Sequence, residues 1–153
     1  MSKIFTFEMA HALLNYEGSC RHIHGHSYRL HVTVIGEPRD APGHPEDGMV
    51  IDFRELKAIV REHILAPFDH ALALNQRTPP ALLESLKATH QKVVLLPFQP
   101  TCERLVQHFA ELLQEALPPN VRLHALRLYE TATAYAEWEA GEQTAPSSYC
   151  AGE

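Results

Sequence analysis

Positive charge is in short supply: 13 Lys and Arg stand against 19 Asp and Glu, a formal net charge of −6. That balance excludes the basic stripe through which a protein grips nucleic acid, and an anionic ligand would need a local concentration of cations. Long apolar runs are missing as well. No stretch approaches the roughly 20 residues of a membrane span, and the N-terminus lacks the charged segment, apolar run and cleavage site of a signal peptide. The expectation is a cytoplasmic protein with neither membrane nor nucleic acid as partner. Cysteine is scarce; Cys20, Cys102 and Cys150 are odd in number and far apart, so they read as free thiols and not as a disulfide framework. Internal repeats and low-complexity blocks are absent too. With 153 residues the chain suits one domain, assigned to 1–140, followed by a polar tail over 141–153 expected to be mobile.

Histidine, by contrast, is plentiful, with eleven. Cys20-Arg21-His22-Ile23-His24-Gly25-His26 sets a thiol four residues before a His-Gly-His pair. In an extended strand, side chains alternate with a period of two, so His24 and His26 point to the same face. The segment Phe5 to His11 alternates too, and His11 shares parity with Phe5, Phe7 and Met9, the buried face of a first strand. His11 is therefore the natural third ligand. Three neutral imidazoles suit Zn²⁺, which in catalytic sites takes three protein ligands and keeps a fourth position for water or substrate. The glycine between the histidines marks a place where a backbone or ligand comes close.

The spacing of the rest predicts the following order. Ser27 to Gly36 is a second strand, with Tyr28, Leu30, Val32 and Val34 on the face of His24 and His26. Glu37 to Gly48, with three prolines and two glycines, is a loop. Asp52 caps a helix, with Glu55 three residues on as in a capping box, and this helix ends before Pro67. The stretch from Phe68 to Gln99 yields no assignment beyond a short helix near Ala81–Lys87 and an apolar run at Val93–Leu96. Thr101 caps a second long helix ended by Pro118 and Pro119. Val121 to Glu130 and Thr133 to Ala140 are two further strands, with Trp138 on the apolar parity of the last. Strand, strand, helix, helix, strand, strand favours an α+β fold: a four-stranded antiparallel sheet with two helices on one face.

Phe7-Glu8-Met9-Ala10-His11, Cys20 through His26, Asp52-Phe53-Arg54-Glu55-Leu56-Lys57, Asp69-His70, Pro100-Thr101-Cys102-Glu103 and Tyr129-Glu130-Thr131 together resemble the 6-pyruvoyl-tetrahydropterin synthase and 6-carboxy-tetrahydropterin synthase family. They span most of residues 4 to 138. The resemblance implies a tunnelling fold (T-fold), closed into a barrel by oligomerisation as a homo-oligomer, a hexamer built as a dimer of trimers, with active sites at subunit interfaces. It implies zinc and a pterin triphosphate substrate, 7,8-dihydroneopterin triphosphate. The three residues between Cys20 and His24 are similar to the carboxy-forming branch, which yields 6-carboxy-5,6,7,8-tetrahydropterin with loss of triphosphate and acetaldehyde in queuosine-type deazapurine synthesis. The pyruvoyl-forming reaction on the same substrate stays open as the alternative, as does a non-catalytic pterin- or metal-binding T-fold protein.

The residues can support such chemistry. Zinc chelated by vicinal hydroxyls acidifies them, and proton abstraction beside it needs a base, for which Cys20 is the candidate. Asp69 and His70 form a second proton-transfer pair, reached over from a neighbouring chain according to the resemblance. Glu130 shares parity with Leu126 and Leu128 and so points inward, where a pterin's amino and ring N–H groups offer it two donors. Thr101 and Glu103 complete the expected substrate contacts, although Glu103 also suits a helix N-terminus by its charge. For the triphosphate, Arg21, Arg77 and Lys87 are candidates only by nearness, and solvated surface charge is the better reading for any one of them. Two open sheet edges, and an apolar face carrying Phe5, Phe7, Val32 and Val34, add a physical motive for pairing between copies.

Overall fold

A computed structural model of the chain describes residues 1–141; from residue 142 on, the expected tail lies outside them, as does Cys150. The alternating N-terminal segment forms β1 (Ser2–His11), burying Phe5, Phe7, Met9 and His11 and exposing Thr6 and Glu8. β2 (His24–Ile35) pairs antiparallel with it, bringing His24 opposite His11 and Gly25 opposite Ala10. Tyr28, Leu30, Val32 and Val34 all lie on its buried face. β5 (Arg122–Tyr129) pairs antiparallel with β2, and β6 (Tyr135–Glu139) with β5. These four strands are the expected antiparallel sheet.

Two more strands enlarge it. β3 (Ala71–Asn75) runs parallel to β1, and β4 (Val93–Leu96) parallel to β3, so the sheet is six-stranded and mixed in the order β4-β3-β1-β2-β5-β6. Every residue of β3 is buried, so Ala71-Leu72-Ala73-Leu74 shows no alternation to read; strands of parallel pairing characteristically look this way. Between them lies α3 (Pro80–Ala88).

α1 (Phe53–Val60) starts at Asp52, whose carboxylate accepts a hydrogen bond from the Arg54 N–H at 2.7 Å. The expected stop before Pro67 does not occur. The helical path continues through a π turn over Arg61–Leu65 into a short α2 (Ala66–Phe68) that contains the proline. At the start of a new helical register the missing proline N–H leaves no bond unmade. α4 (Cys102–Ala116) begins at Thr101, whose hydroxyl accepts from the Arg104 N–H.

α1 and α4 pack on one face of the sheet. Leu56, Val60, Ile64, Leu105, Phe109 and Leu113 close over Phe7, Tyr28, Leu30, Val32 and Leu126, each fully buried apolar side chain contributing about 1.5–3 kcal/mol. Phe7 stacks on Tyr28 with ring centroids 5.2 Å apart. The face carrying Phe5, Phe7, Val32 and Val34 is thus covered within one chain, so of the two motives for pairing between copies the sheet edges, at β4 and β6, are the one that remains. The opposite face is polar: the Ser27 hydroxyl donates to Glu8 at 2.8 Å, and Arg127 pairs with Glu137 at 2.7 Å. Among the described residues, no helix is long and apolar enough to cross a membrane.

Candidate metal centre and the Asp69–His70 corner

His11, the last residue of β1, and His24 and His26, at the start of β2, meet at one end of the helix-covered face. One ring nitrogen from each lies within 4.8 Å of those of the other two. Their neighbours fix the tautomers. His11 Nδ1 lies 2.7 Å from the Pro100 carbonyl and His24 Nδ1 lies 2.7 Å from the His22 carbonyl. A carbonyl only accepts, so both Nδ1 atoms carry hydrogen and both Nε2 atoms present lone pairs. Those two Nε2 atoms face each other at 3.0 Å, an arrangement of two acceptors with no proton between them. His26 Nε2 is buried and has no hydrogen-bond partner. Two lone pairs and a third, unpartnered ring nitrogen converge, and a cation is what they fit. Burial pushes His11 below the ordinary histidine range, against the pull of the Pro100 carbonyl and Glu130, which keeps its ring neutral and able to ligate.

Glu130 reaches the same place from the end of β5, as its parity predicts. Its carboxylate lies 3.5 Å from His11 Nε2 and 3.9 Å from His26 Nε2, and it accepts a hydrogen bond from the buried Tyr28 hydroxyl at 3.3 Å. Burial first, and then Glu130, push the Tyr28 phenol well above its ordinary range, so Tyr28 serves as a fixed donor. Cys20 sits in a 3-10 turn (Ser19–Arg21), half-buried, and neighbours Tyr28. Its sulfur is not part of the three-histidine group. Cys102 differs: burial drives its thiol up to about 11, and it donates to the Leu128 carbonyl, as a packing residue does.

Residues 99–101 form a strut that side-chain patterns do not reveal. The Gln99 amide brackets the backbone of Leu14, on the loop that carries Cys20; the Pro100 carbonyl holds His11; Thr101 caps α4. The Thr101 hydroxyl is engaged by that cap, and Glu103 is exposed in the first turn of α4.

Asp69 and His70 are elsewhere. They occupy the corner between α2 and β3, where His70 adopts φ 57°, the left-handed region rare for residues other than glycine. That twist brings adjacent side chains together, so that His70 Nδ1 lies 2.9 Å from Asp69 Oδ1. The pair is clamped: the His70 N–H donates to the Glu8 carbonyl at 2.6 Å, the Glu8 N–H to Asp69 Oδ1 at 3.0 Å, and Lys92 Nζ to the Asp69 carbonyl at 2.7 Å. The Glu8 N–H and then the His70 ring hold the Asp69 carboxyl below its usual range. With Nδ1 donating to Asp69, His70 Nε2 is the free acceptor.

His70 borders a cleft of about 360 Å³ shared with Glu8, Ala10, Gly25, Leu72, Lys92 and His26, one of the three clustered histidines. Glu8, Ala10 and Leu72 have the parity opposite to His11, whereas Met9 and His26, which also line the cleft, share it, so the lining draws on both parities of the sheet. Gly25 forms part of its floor: a side chain there would stand over Ala10. The Asp69–His70 pair is therefore outside the three-histidine group, while the cleft it borders reaches His26. Arg21, Arg77 and Lys87 are exposed and line neither place.

Residues 1–141 match the family described as 6-pyruvoyl tetrahydropterin synthase. A Haemophilus influenzae protein named 6-carboxy-5,6,7,8-tetrahydropterin synthase is 33% identical over 141 residues, covering 91% of this chain and 97% of the relative. Among solved structures, an uncharacterised protein of Wolinella succinogenes superimposes with a TM-score of 0.75 at 23% identity, covering 91% of this chain and 96% of that one. The 6-pyruvoyl tetrahydropterin synthase of Plasmodium falciparum does so with a TM-score of 0.66 at 21% identity, covering 92% and 96%. The α+β tunnelling fold expected from the sequence is the fold found, with β3 and β4 added to its antiparallel core. Fold and sequence agree: the chain is an enzyme of the 6-pyruvoyl tetrahydropterin synthase family.

Proposed function

We propose that this lyase converts 7,8-dihydroneopterin triphosphate and one water to 6-carboxy-5,6,7,8-tetrahydropterin, releasing triphosphate and acetaldehyde, with zinc held by His11, His24 and His26, as a cytoplasmic step of queuosine-type deazapurine synthesis. The observation that carries this is the convergence of one ring nitrogen from each of His11, His24 and His26 beside the Glu130 carboxylate. Its direction toward the carboxy product rests on the 33% identity with the Haemophilus protein of that name. Bound there, zinc supplies Lewis acidity that lowers the pKa of coordinated hydroxyls.

The chain's own residues do the rest. The Pro100 and His22 carbonyls orient two imidazoles, as outer-shell partners of metal ligands do. Glu130, held by the Tyr28 hydroxyl, accepts paired N–H bonds from the pterin ring. Thr101 and Glu103, directly after the carbonyl that holds His11, supply further contacts to substrate. Cys20 takes the proton from the substrate carbon, and the Asp69–His70 pair transfers the second. The pair is outside the three-histidine group of its own chain and, as the family resemblance implies, serves the histidine site of another copy in a homo-oligomer assembled as a dimer of trimers.

Incubating the zinc-loaded protein with 7,8-dihydroneopterin triphosphate and weighing the products by mass spectrometry tests the reading. The expected products are 6-carboxy-5,6,7,8-tetrahydropterin, triphosphate and acetaldehyde. A 6-pyruvoyl product, or unchanged substrate, contradicts it.

A further inference from the structure

Beside the Asp69–His70 corner lies a second cavity, of about 410 Å³, lined by Lys57, Arg61, Leu65, Ala66, Asp69 and Lys92. Three cations face it against one carboxylate, and that carboxylate is already occupied by the Glu8 N–H and the His70 ring. In a chain of net charge −6 this is an unusual concentration of positive charge. Lys57 and Arg61 are one helical turn apart and so project from the same face. Among the described residues, Arg39, Arg54 and Arg127 are each in an ion pair, whereas Lys57, Arg61 and Lys92 are in none.

Lys92 is fixed in place. Its ammonium donates to the carbonyls of Ala66 and Asp69, both at 2.7 Å, which leaves the third of its three donors free. It also lines the cleft that holds His70, so the two concavities meet at Lys92. A ligand reaching His70 through the first thus lies next to a concavity that carries three cations.

We infer that Lys57, Arg61 and Lys92 form a polyphosphate-binding subsite, which holds the phosphate tail of the substrate while the Asp69–His70 pair works on the adjoining carbons. The inference rests on the proposed function for the identity of the substrate, but not for the charge of the ligand. It replaces Arg21, Arg77 and Lys87, which line neither concavity, as the triphosphate contacts. Clustered cations of this kind draw a polyanion in and weaken with salt.

The test is calorimetric titration of the zinc-loaded, full-length protein with inorganic tripolyphosphate at low ionic strength, comparing wild type with the double variant Lys57→Ala/Arg61→Ala. Both side chains are exposed, and an unchanged thermal unfolding midpoint verifies the fold. Lys92 is left intact because it also caps backbone carbonyls. The expected result is binding to wild type, at least tenfold weaker binding to the double variant, and recovery to within a few-fold in the charge-preserving Lys57→Arg/Arg61→Lys. The same double variant should raise the KM for 7,8-dihydroneopterin triphosphate and leave binding of unphosphorylated 7,8-dihydroneopterin unchanged. Equal binding to wild type and the double variant, as a probe seated on zinc would show, overturns the subsite, and so does no binding to wild type. If tripolyphosphate binding depends on Lys57 and Arg61 yet the pterin triphosphate is not turned over, the subsite stands and the proposed substrate falls.

Discussion

Glu8 and His11 are three residues apart on one strand, yet they belong to two regions built on opposite principles. At His11 the chain makes a half-buried site in which two imidazole rings are oriented by carbonyls and a third ring nitrogen has no partner. At Glu8 it makes an exposed corner, where His70 has 76% of its side chain accessible but the backbone is clamped from three sides. The first site is incomplete without a cation. The second is rigid but has no electrophile of its own beside it. Strand alternation sends the Glu8 and His11 side chains to opposite faces, so the difference teaches how one strand can serve two regions, one that gathers ring nitrogens and one held by backbone bonds.

The largest effect is expected at the three histidines. His24→Ala removes one of three converging nitrogens, and elemental analysis should show zinc lost together with turnover; stoichiometric zinc in this variant would break the comparison. Next, Cys20→Ala should retain zinc and lower turnover by about 10²–10⁴, the usual worth of a general base. Loss of zinc there would make Cys20 a ligand. Glu130→Gln should weaken pterin binding about tenfold or more, since unpaired buried donors cost on the order of 1–3 kcal/mol, as read by titration of the inactive Cys20→Ala background. The smallest effect concerns pH. Because burial lowers the His11 pKa in the folded, metal-free protein, the unfolded chain binds more protons between the folded pKa and about 6.5, the ordinary value. Metal-free stability should therefore fall as pH drops through 6.5 and level off below the folded pKa. Urea midpoints measured across that range check the sign, and a flat profile would remove the burial argument.

The two regions were not equally legible in the sequence. Period-two spacing brings His11, His24 and His26 to one face, and parity alone aims Glu130 at them, because both inferences depend only on strand geometry. The mutual contact of Asp69 and His70 needs a left-handed residue at His70, which no local signal announces. β3 and β4 escaped assignment since strands buried on both faces lose their alternation, and with them went Lys92, whose importance is tertiary. The helical path through Pro67 depends on a π turn. The Pro100 and His22 carbonyls orient the histidines through backbone atoms, which leave no mark on residue type. Tyr28 was legible as core but not as the hydrogen-bond donor to Glu130.

The shared-site account is tested most directly by mixing two dead proteins. Homo-oligomers of Cys20→Ala and of His70→Ala should each be nearly inactive. Hetero-oligomers made by co-refolding them, and shown to be mixed by native mass spectrometry, should regain part of the wild-type turnover, because some sites then combine an intact Cys20 from one chain with an intact His70 from another. No recovery in oligomers proven to be mixed would mean that a single chain completes its own site, and would contradict the account.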